Sequence, residues 1–231
     1  MNSLSISVVL PAYNEEENIK NTLSECIDFL DKQFEDYEII AVNDGSSDGT
    51  KKKIEIMARK FSRIKLIEHS VNQGYGAALN SGFENASKDY ILLMDSDGQF
   101  DIKDLDLLIP SVTGENVILG YRKTRADNFV RNLNANLYNL YIKLLFGLRV
   151  KDIDCAFKLF PRTAYNKIKP VNSRGALYSA ELLIKLSRNG FKFKEIGVNH
   201  YPRSYGEQSG ANLAVILKMF KESWAFRREL Q

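Results

Sequence analysis

Residues 90–100 read YILLMDSDGQF, and two of them are the first candidates for chemistry. An apolar run from Tyr90 to Met94 leads straight into Asp95 and Asp97, which are separated only by Ser96. A carboxylate at the end of a buried strand is costly unless something neutralises it. Two carboxylates at i and i+2 on a turn can share one hard divalent cation. Mg2+ and Mn2+ prefer oxygen ligands and often bind through one or two carboxylates plus substrate phosphates. Gln99 adds a side-chain carbonyl to the same turn. The competing explanation is an ordinary Asp-Gly turn. It suits Asp97-Gly98 but not Asp95, which continues directly from apolar residues.

Two further loops carry chemistry-bearing residues. In NDGSSDGT (43–50), Asp44 directly follows apolar strand residues and is placed to hydrogen-bond a base or ribose. Asp48 precedes a helical pattern and is expected to cap it, accepting a backbone N–H. In GYGAAL (74–79), Gly74-x-Gly76 lies between a strand and a helix, as in a dinucleotide fingerprint. Leu79, however, stands where close helix–sheet packing wants a small residue, and the motif follows the third strand rather than the first. A helix-start turn with N–H groups open to a ligand accounts for these glycines. No GxxxxGK[ST] is present. His69 ends a strand and reads as packing or turn chemistry. His200, three residues before Arg203, reads as a phosphate contact or a structural group. Cys26 and Cys155 form no CxxC pair, which argues for a reducing compartment and against zinc.

The elements that must position these residues alternate in the first half. Strand patterns at 5–12, 37–42, 64–69 and 90–94 are separated by helical stripes. The stripes are Ile19, Leu23, Cys26, Ile27 and Leu30, then Ile54, Met57, Ala58 and Phe61, then residues 76–86. Near-continuous apolar strands between amphipathic helices imply an α/β fold, a mostly parallel sheet covered on both faces. A strand at 116–121 extends it. Beyond lie a helix over 127–147, a strand over 152–160, a helix over 180–189, a strand over 191–201 and a helix over 211–228. The chain is expected to be one domain, residues 1–231, with halves at 1–125 and 126–231. In parallel sheets, ligands gather beyond the carboxyl ends of the strands. The polar loops PAYNEEE, NDGSSDGT, HSVNQGYG and DSDGQ all fall there.

Charge divides the chain in the same way. Residues 1–116 hold 11 Lys/Arg against 21 Asp/Glu, and residues 117–231 hold 21 against 8. An acidic half can hold a cation, and a basic half suits phosphates or an anionic membrane surface. No apolar run reaches the roughly 20 residues of a transmembrane helix, and the N-terminus does not read as a signal peptide. Two amphipathic helices could lie on a membrane instead. One carries Phe129, Leu133, Leu137, Leu140 and Leu144 in a stripe. The other carries Leu213, Ile216, Leu217, Phe220 and Trp224, with Lys218, Lys221, Arg227 and Arg228 beside them. Packing on the sheet or in a homodimer is the alternative for either helix.

VVLPAYNEEENI, VNDGSSDGT, NQGYGAALNSGF and ILLMDSDGQ together resemble the donor half of family 2 glycosyltransferases with the GT-A fold. The likeness is strongest to polyprenyl- and dolichyl-phosphate sugar synthases. It covers roughly residues 5–125 and, more loosely, 126–210. The resemblance implies that Pro11, Tyr13, Glu15 and Asp44 hold the nucleoside of a nucleotide sugar, with the Ser96 backbone against the ribose. It implies a Mg2+ or Mn2+ ion on the diphosphate, held by Asp95, Asp97 and Gln99. Arg203 in HYPRSYG falls where the family has a basic residue for the donor phosphates. Arg122 and Arg131 fall where the dolichyl-phosphate enzymes hold the acceptor phosphate. DIDCAFKLF matches a family segment at Asp152 and Lys158, with Ala156 in place of its usual glycine.

The function expected is inverting, metal-dependent transfer of a hexose from a GDP- or UDP-sugar to a polyprenyl phosphate. The expected location is the cytoplasmic face of a membrane, reached directly or through a membrane subunit, with no nucleic-acid partner. A phosphate acceptor is already an anion and needs no general base. A saccharide hydroxyl, the alternative acceptor, would need one, and Asp152, Asp154 and Glu181 are the candidates. Outside this class stand a non-catalytic nucleotide-sugar binder and a dinucleotide-dependent oxidoreductase.

Overall fold

The computed structural model describes residues 3–123, 129–175, 177–203, 205 and 213–230, and the side chains of 129–136 and 213–218 lie outside that description. Among these residues one sheet of seven strands runs through the molecule, in the order β3-β2-β1-β4-β6-β5-β7. The strands are β1 (Ile6–Ala12), β2 (Tyr37–Asp44), β3 (Ile64–His69), β4 (Tyr90–Met94), β5 (Val117–Arg122), β6 (Phe157–Pro161) and β7 (Phe193–Val198). The helices are α1 (Glu16–Gln33), α2 (Thr50–Lys60), α3 (Tyr75–Glu84), α4 (Leu105–Leu108), α5 (Phe129–Phe146), α6 (Arg162–Ile168), α7 (Tyr178–Arg188) and α8 (Leu213–Glu229). All pairings are parallel except those of β6, which runs antiparallel between β4 and β5.

Every residue of β1 and β2 is buried, as strands covered on both faces must be. Their side chains alternate between two cores. Val8, Leu10, Ile39 and Ala41 meet Ile19, Leu23 and Leu30 of α1 and Ile54 of α2. Val9, Ile40 and Val42 meet Ala78, Leu79 and Phe83 of α3 on the opposite face. The small residue that lets α3 lie close to the sheet is Gly82, one turn beyond Leu79. A Cβ there would stand 2.3 Å from Cγ1 of Val9.

The chain runs outward from β1 through β2 to β3, then returns to β4 on the other side of β1. The strand order therefore reverses between β1 and β4, and a crevice opens beyond their carboxyl ends.

Two expectations are corrected. Residues 152–156 are not strand; only Phe157–Pro161 is. Side chains meet the backbone there instead, with the Ile153 N–H reaching Asn139 Oδ1 at 3.5 Å and the Cys155 carbonyl accepting from Lys158 Nζ. The strand expected over 191–201 is shorter, Phe193–Val198. Helix α6, starting directly after Pro161, and the short α4 carry too little periodicity to be legible. Residues 127–128 and 211–212, expected to begin two helices, lie outside the described residues. No described helix is long and apolar enough to cross a membrane.

Candidate active site

A cleft of about 580 Å³ opens at the carboxyl ends of β1, β2 and β4. Pro11, Tyr13, Glu15, Asp44, Asp95, Ser96, Asp97 and Arg203 line it, eight of the residues singled out from sequence. Asn14, Asn72, Gly74 and Tyr75 line it as well.

The floor is built by cross-links between loops. Ser96 Oγ donates to the Pro11 carbonyl at 2.7 Å, and Thr22 Oγ1 donates to the Ser96 carbonyl at 3.1 Å. These bonds tie the turn after β4 to β1 and α1. Asn14 adopts a left-handed backbone, φ 55°, a conformation that Asn tolerates better than most residues. Its N–H donates to Ser46 Oγ at 3.0 Å, and its Oδ1 accepts the Ser47 N–H at 2.9 Å, joining the loops after β1 and β2. Asp48 accepts the Thr50 N–H at 3.0 Å and the Glu16 N–H at 3.1 Å. Gly49, not Asp48, is the N-cap of α2; Asp48, one residue earlier, holds the first N–H of α2 and also anchors α1.

Asp95 leaves β4 half-buried, and Tyr75 Oη donates to its Oδ1 at 2.9 Å. Burial pushes the Asp95 carboxyl up to about 7, and repulsion from Asp97 adds to this. The Tyr75 hydroxyl and the Lys158 ammonium pull in the other direction. Lys158 sits fully buried on β6 opposite Leu93, its Nζ donating to the Cys155 carbonyl. Asp97 Oδ1 accepts the Gln99 N–H at 3.0 Å, closing the turn.

Arg203 joins both sides of the cleft. Its Nη2 lies 2.5 Å from Glu15 Oε1, its Nη1 3.6 Å from Asp97 Oδ2, and its Nε donates to the Tyr205 carbonyl at 2.7 Å. Burial raises the Glu15 carboxyl above its ordinary value, against the opposing pull of Asn18 and Arg203.

Other expected site residues stand elsewhere. Gln99 does not line the cleft; its Nε2 donates to the Tyr201 carbonyl at 3.0 Å, fixing the segment that leads to Arg203. Arg122 does not line it either, and Asp152 holds its Nε at 2.7 Å and Nη2 at 2.8 Å. The side chain of Arg131 lies outside the described residues. Of the candidate bases, Glu181 is buried, accepts the Asn172 and Ser173 N–H groups at 2.8 Å each, and pairs with Lys185 at 2.7 Å. Asp152 is committed to Arg122, and neither it, Asp154 nor Glu181 lines the cleft. The Gln73 and Gly74 N–H groups are not open to a ligand, because both donate to Asp44 at 2.9 Å. The Gly76 N–H donates to the Arg174 carbonyl at 3.0 Å. His200 packs edge-on against Phe100, 5.2 Å between centroids.

The family model described as Glycosyl transferase family 2 matches residues 7–169, which span six of the seven strands and every lining residue except Arg203. The chain belongs to glycosyltransferase family 2. This glycosyltransferase is 31% identical to dolichyl-phosphate beta-glucosyltransferase of Saccharomyces cerevisiae, over 94% of this chain and 71% of that one. It is 28% identical to undecaprenyl-phosphate 4-deoxy-4-formamido-L-arabinose transferase of Aeromonas hydrophila, over 93% of this chain and 65% of that one. Glucosyl-3-phosphoglycerate synthase from Mycobacterium tuberculosis, solved with Mn2+, UDP and phosphoglyceric acid, shares the fold. Its TM-score is 0.69 at 20% identity, covering 97% of this chain and 78% of that one.

Proposed function

We propose that this glycosyltransferase moves a hexose from a uridine diphosphate sugar to a polyprenyl phosphate, with Mg2+ or Mn2+ on the donor diphosphate. The observation that carries the reading is the convergence of Asp44, Asp95 and Asp97 with Arg203 on one cleft at the strand-order reversal. Two relatives named for transfer to dolichyl or undecaprenyl phosphate support the acceptor class.

The donor set fits a hard cation. Asp95 and Asp97 are close enough to raise the Asp95 carboxyl, a repulsion that a divalent ion would relieve. Among the described residues no group of three or more His, Cys, Asp and Glu side chains forms a metal cage. The diphosphate would therefore supply part of the ion's coordination, as Mg2+ sites commonly have it. Bound there, the ion would offset the charge that builds on the departing nucleoside diphosphate. Arg203, already spanning Glu15 and Asp97, would add its guanidinium to the same phosphates. The bond between the anomeric carbon and the donor phosphate breaks as an acceptor oxygen bonds to the opposite face of the sugar.

Asp44 supports uracil over guanine. A carboxylate offers about four acceptor positions. Three are taken by His69 Nδ1, the Gln73 N–H and the Gly74 N–H. One position remains, which matches the single imide N–H of uracil better than the adjacent pair of donors on guanine. A phosphate acceptor accords with a cleft that none of Asp152, Asp154 and Glu181 lines. Arg122 and Arg131 are the proposed acceptor-phosphate ligands, with Asp152 orienting Arg122. In this reading residues 1–125 serve the donor and 126–231 the acceptor, within one domain.

The acceptor would be met at an anionic lipid surface. Helices α5 and α8 pack together, with Tyr141 and Phe220 rings 4.7 Å apart and Tyr141 Oη 2.6 Å from Ser223 Oγ. They leave Leu137, Leu140, Leu144, Phe220 and Trp224 exposed, while Ile142, Met219 and Phe226 face the core. Lys143, Lys221, Arg227 and Arg228 on the same two helices are available to headgroups.

The test is incubation with radiolabelled UDP-glucose or GDP-sugars and Mg2+, with and without polyprenyl phosphate. Label reaching the lipid from the UDP-sugar, and lost in EDTA or in Asp97→Ala, is the expected result. Label reaching only soluble saccharides would overturn the acceptor, and full activity in EDTA would overturn the metal.

A further inference from the structure

We infer that His69 and Ser81 form a positioning relay that fixes Asp44 as a one-site reader of the donor base. The inference rests on the uridine nucleotide reading above and adds residues that touch no part of the donor. His69 ends β3, directly beside the last residue of β2 in the parallel register Asp44↔His69. Its Nδ1 lies 2.6 Å from Asp44 Oδ1 and its Nε2 lies 2.9 Å from Ser81 Oγ on α3. Both Asp44 and His69 are buried.

The hydrogen positions follow from the partners. The Asp44 oxygens already accept two backbone N–H groups, so Nδ1 must be the donor in its bond to Oδ1. In the neutral ring Nε2 is then an acceptor, and the Ser81 hydroxyl donates to it. Ser81 thereby holds the ring in the tautomer that serves Asp44. The chain of bonds runs from α3 through β3 to β2, so the carboxylate is fixed from the helix side as well as by the turn at Gln73 and Gly74.

The consequence is selectivity. His69 occupies one acceptor position of Oδ1, and the Gln73 N–H occupies the other. Only Oδ2, which bonds the Gly74 N–H, keeps a position for the base. Without the imidazole, the carboxylate would offer one position on each oxygen. That arrangement suits the adjacent N1–H and N2–H donors of guanine. The turn would persist, because its two N–H bonds to Asp44 do not involve the ring.

Calorimetric titration of the purified protein with UDP and with GDP, in the presence of Mn2+, measures the effect. The wild type is expected to favour UDP. His69→Phe should bind UDP about tenfold more weakly and show a GDP/UDP dissociation-constant ratio about tenfold narrower, the size expected for a lost hydrogen bond to a charged group. Ser81→Ala should narrow the ratio less, in the same direction. His69→Asn places an amide nitrogen near the position of Nδ1 and should restore most of the ratio. A folded His69→Phe that keeps the wild-type ratio would overturn the relay and leave the donor reading intact. Should His69→Phe fail to fold, an unchanged ratio in Ser81→Ala overturns it. A wild type that favours GDP overturns both the one-site count at Asp44 and the relay. A wild type that binds neither nucleotide overturns the donor reading itself.

Discussion

Tyr75 ties the Asp95 carboxylate from across the cleft, by a hydroxyl bond of 2.9 Å from the first residue of α3. The bond acts on one of the two proposed metal ligands without adding charge. Tyr75→Phe removes it and leaves the ring, so the expected loss is about 1 kcal/mol of Asp95 positioning. In the transfer assay this should appear as roughly a fivefold rise in the Mn2+ concentration for half-maximal rate. An unchanged metal titration would show that the hydroxyl does not serve the ion. Asp95, Asp97 and Asp44 were legible because each stands in a contiguous motif beside a strand end, whereas Arg203 was pointed to by the family resemblance alone. Tyr75 and the His69–Ser81 pair were not, because their partners are 12 to 25 residues away along the chain or on another element. The resemblance gave Gln99 to the metal and Arg122 to the acceptor phosphate; neither lines the cleft, Gln99 donating to the Tyr201 carbonyl and Arg122 to Asp152. Pattern gives a residue's position along a strand or turn, but the neighbours competing for its side chain come from distant segments.

Elements were legible to the extent that their burial is periodic. β1 to β4 and α1 to α3 carry mainly apolar runs or stripes, and their observed bounds depart from the expected ones by only one or two residues at most ends. Residues 152–156 failed because apolar Ile153 and Cys155 are buried without strand hydrogen bonds. The alternating residue types of Asp152-Ile153-Asp154-Cys155 imitate a strand, whereas Asp152 and Ala156 are buried as well. The opposite case is Glu38, a charged residue inside β2. Burial alone would raise its carboxyl. The Lys65 ammonium at 2.6 Å, the Ser7 hydroxyl at 2.7 Å, and the Ser87 N–H and hydroxyl outweigh that and hold it at about 2. The group is thus depressed in the folded chain relative to its ordinary 4.5. Its contribution is fully present above about 4.5 and is lost as pH falls through about 2. The linkage is on the order of 3 kcal/mol. Denaturant midpoints taken between pH 6 and pH 2 should fall more steeply in the wild type than in Glu38→Gln. Parallel curves would show that this cluster does not stabilise the start of the sheet.

At the scale of the molecule, the acidic and basic halves of the sequence join one continuous sheet, since β6 enters antiparallel between β4 and β5. The acidic first half supplies nearly all the cleft, and Arg203 reaches it from the second. The remaining positive charge of the second half needs another use, and α5 with α8 suggests it. Their outward residues Leu137, Leu140 and Leu144 recur at i, i+3 and i+7, a stripe that would normally face a core. Here the sheet side is filled by Ile142 instead, so the stripe is left outside with basic residues beside it. Such a face suits the headgroup region of an anionic bilayer, where apolar burial and charge attraction add. The protein should cosediment with vesicles containing phosphatidylglycerol, less with phosphatidylcholine alone, and less as salt rises. Leu140→Glu combined with Trp224→Glu should reduce vesicle binding at least tenfold and slow transfer to vesicle-borne polyprenyl phosphate. UDP binding should stay unchanged, because neither residue lines the cleft. If the face instead joined two copies of the chain, the double variant would shift the mass measured by light scattering and leave vesicle binding as it was.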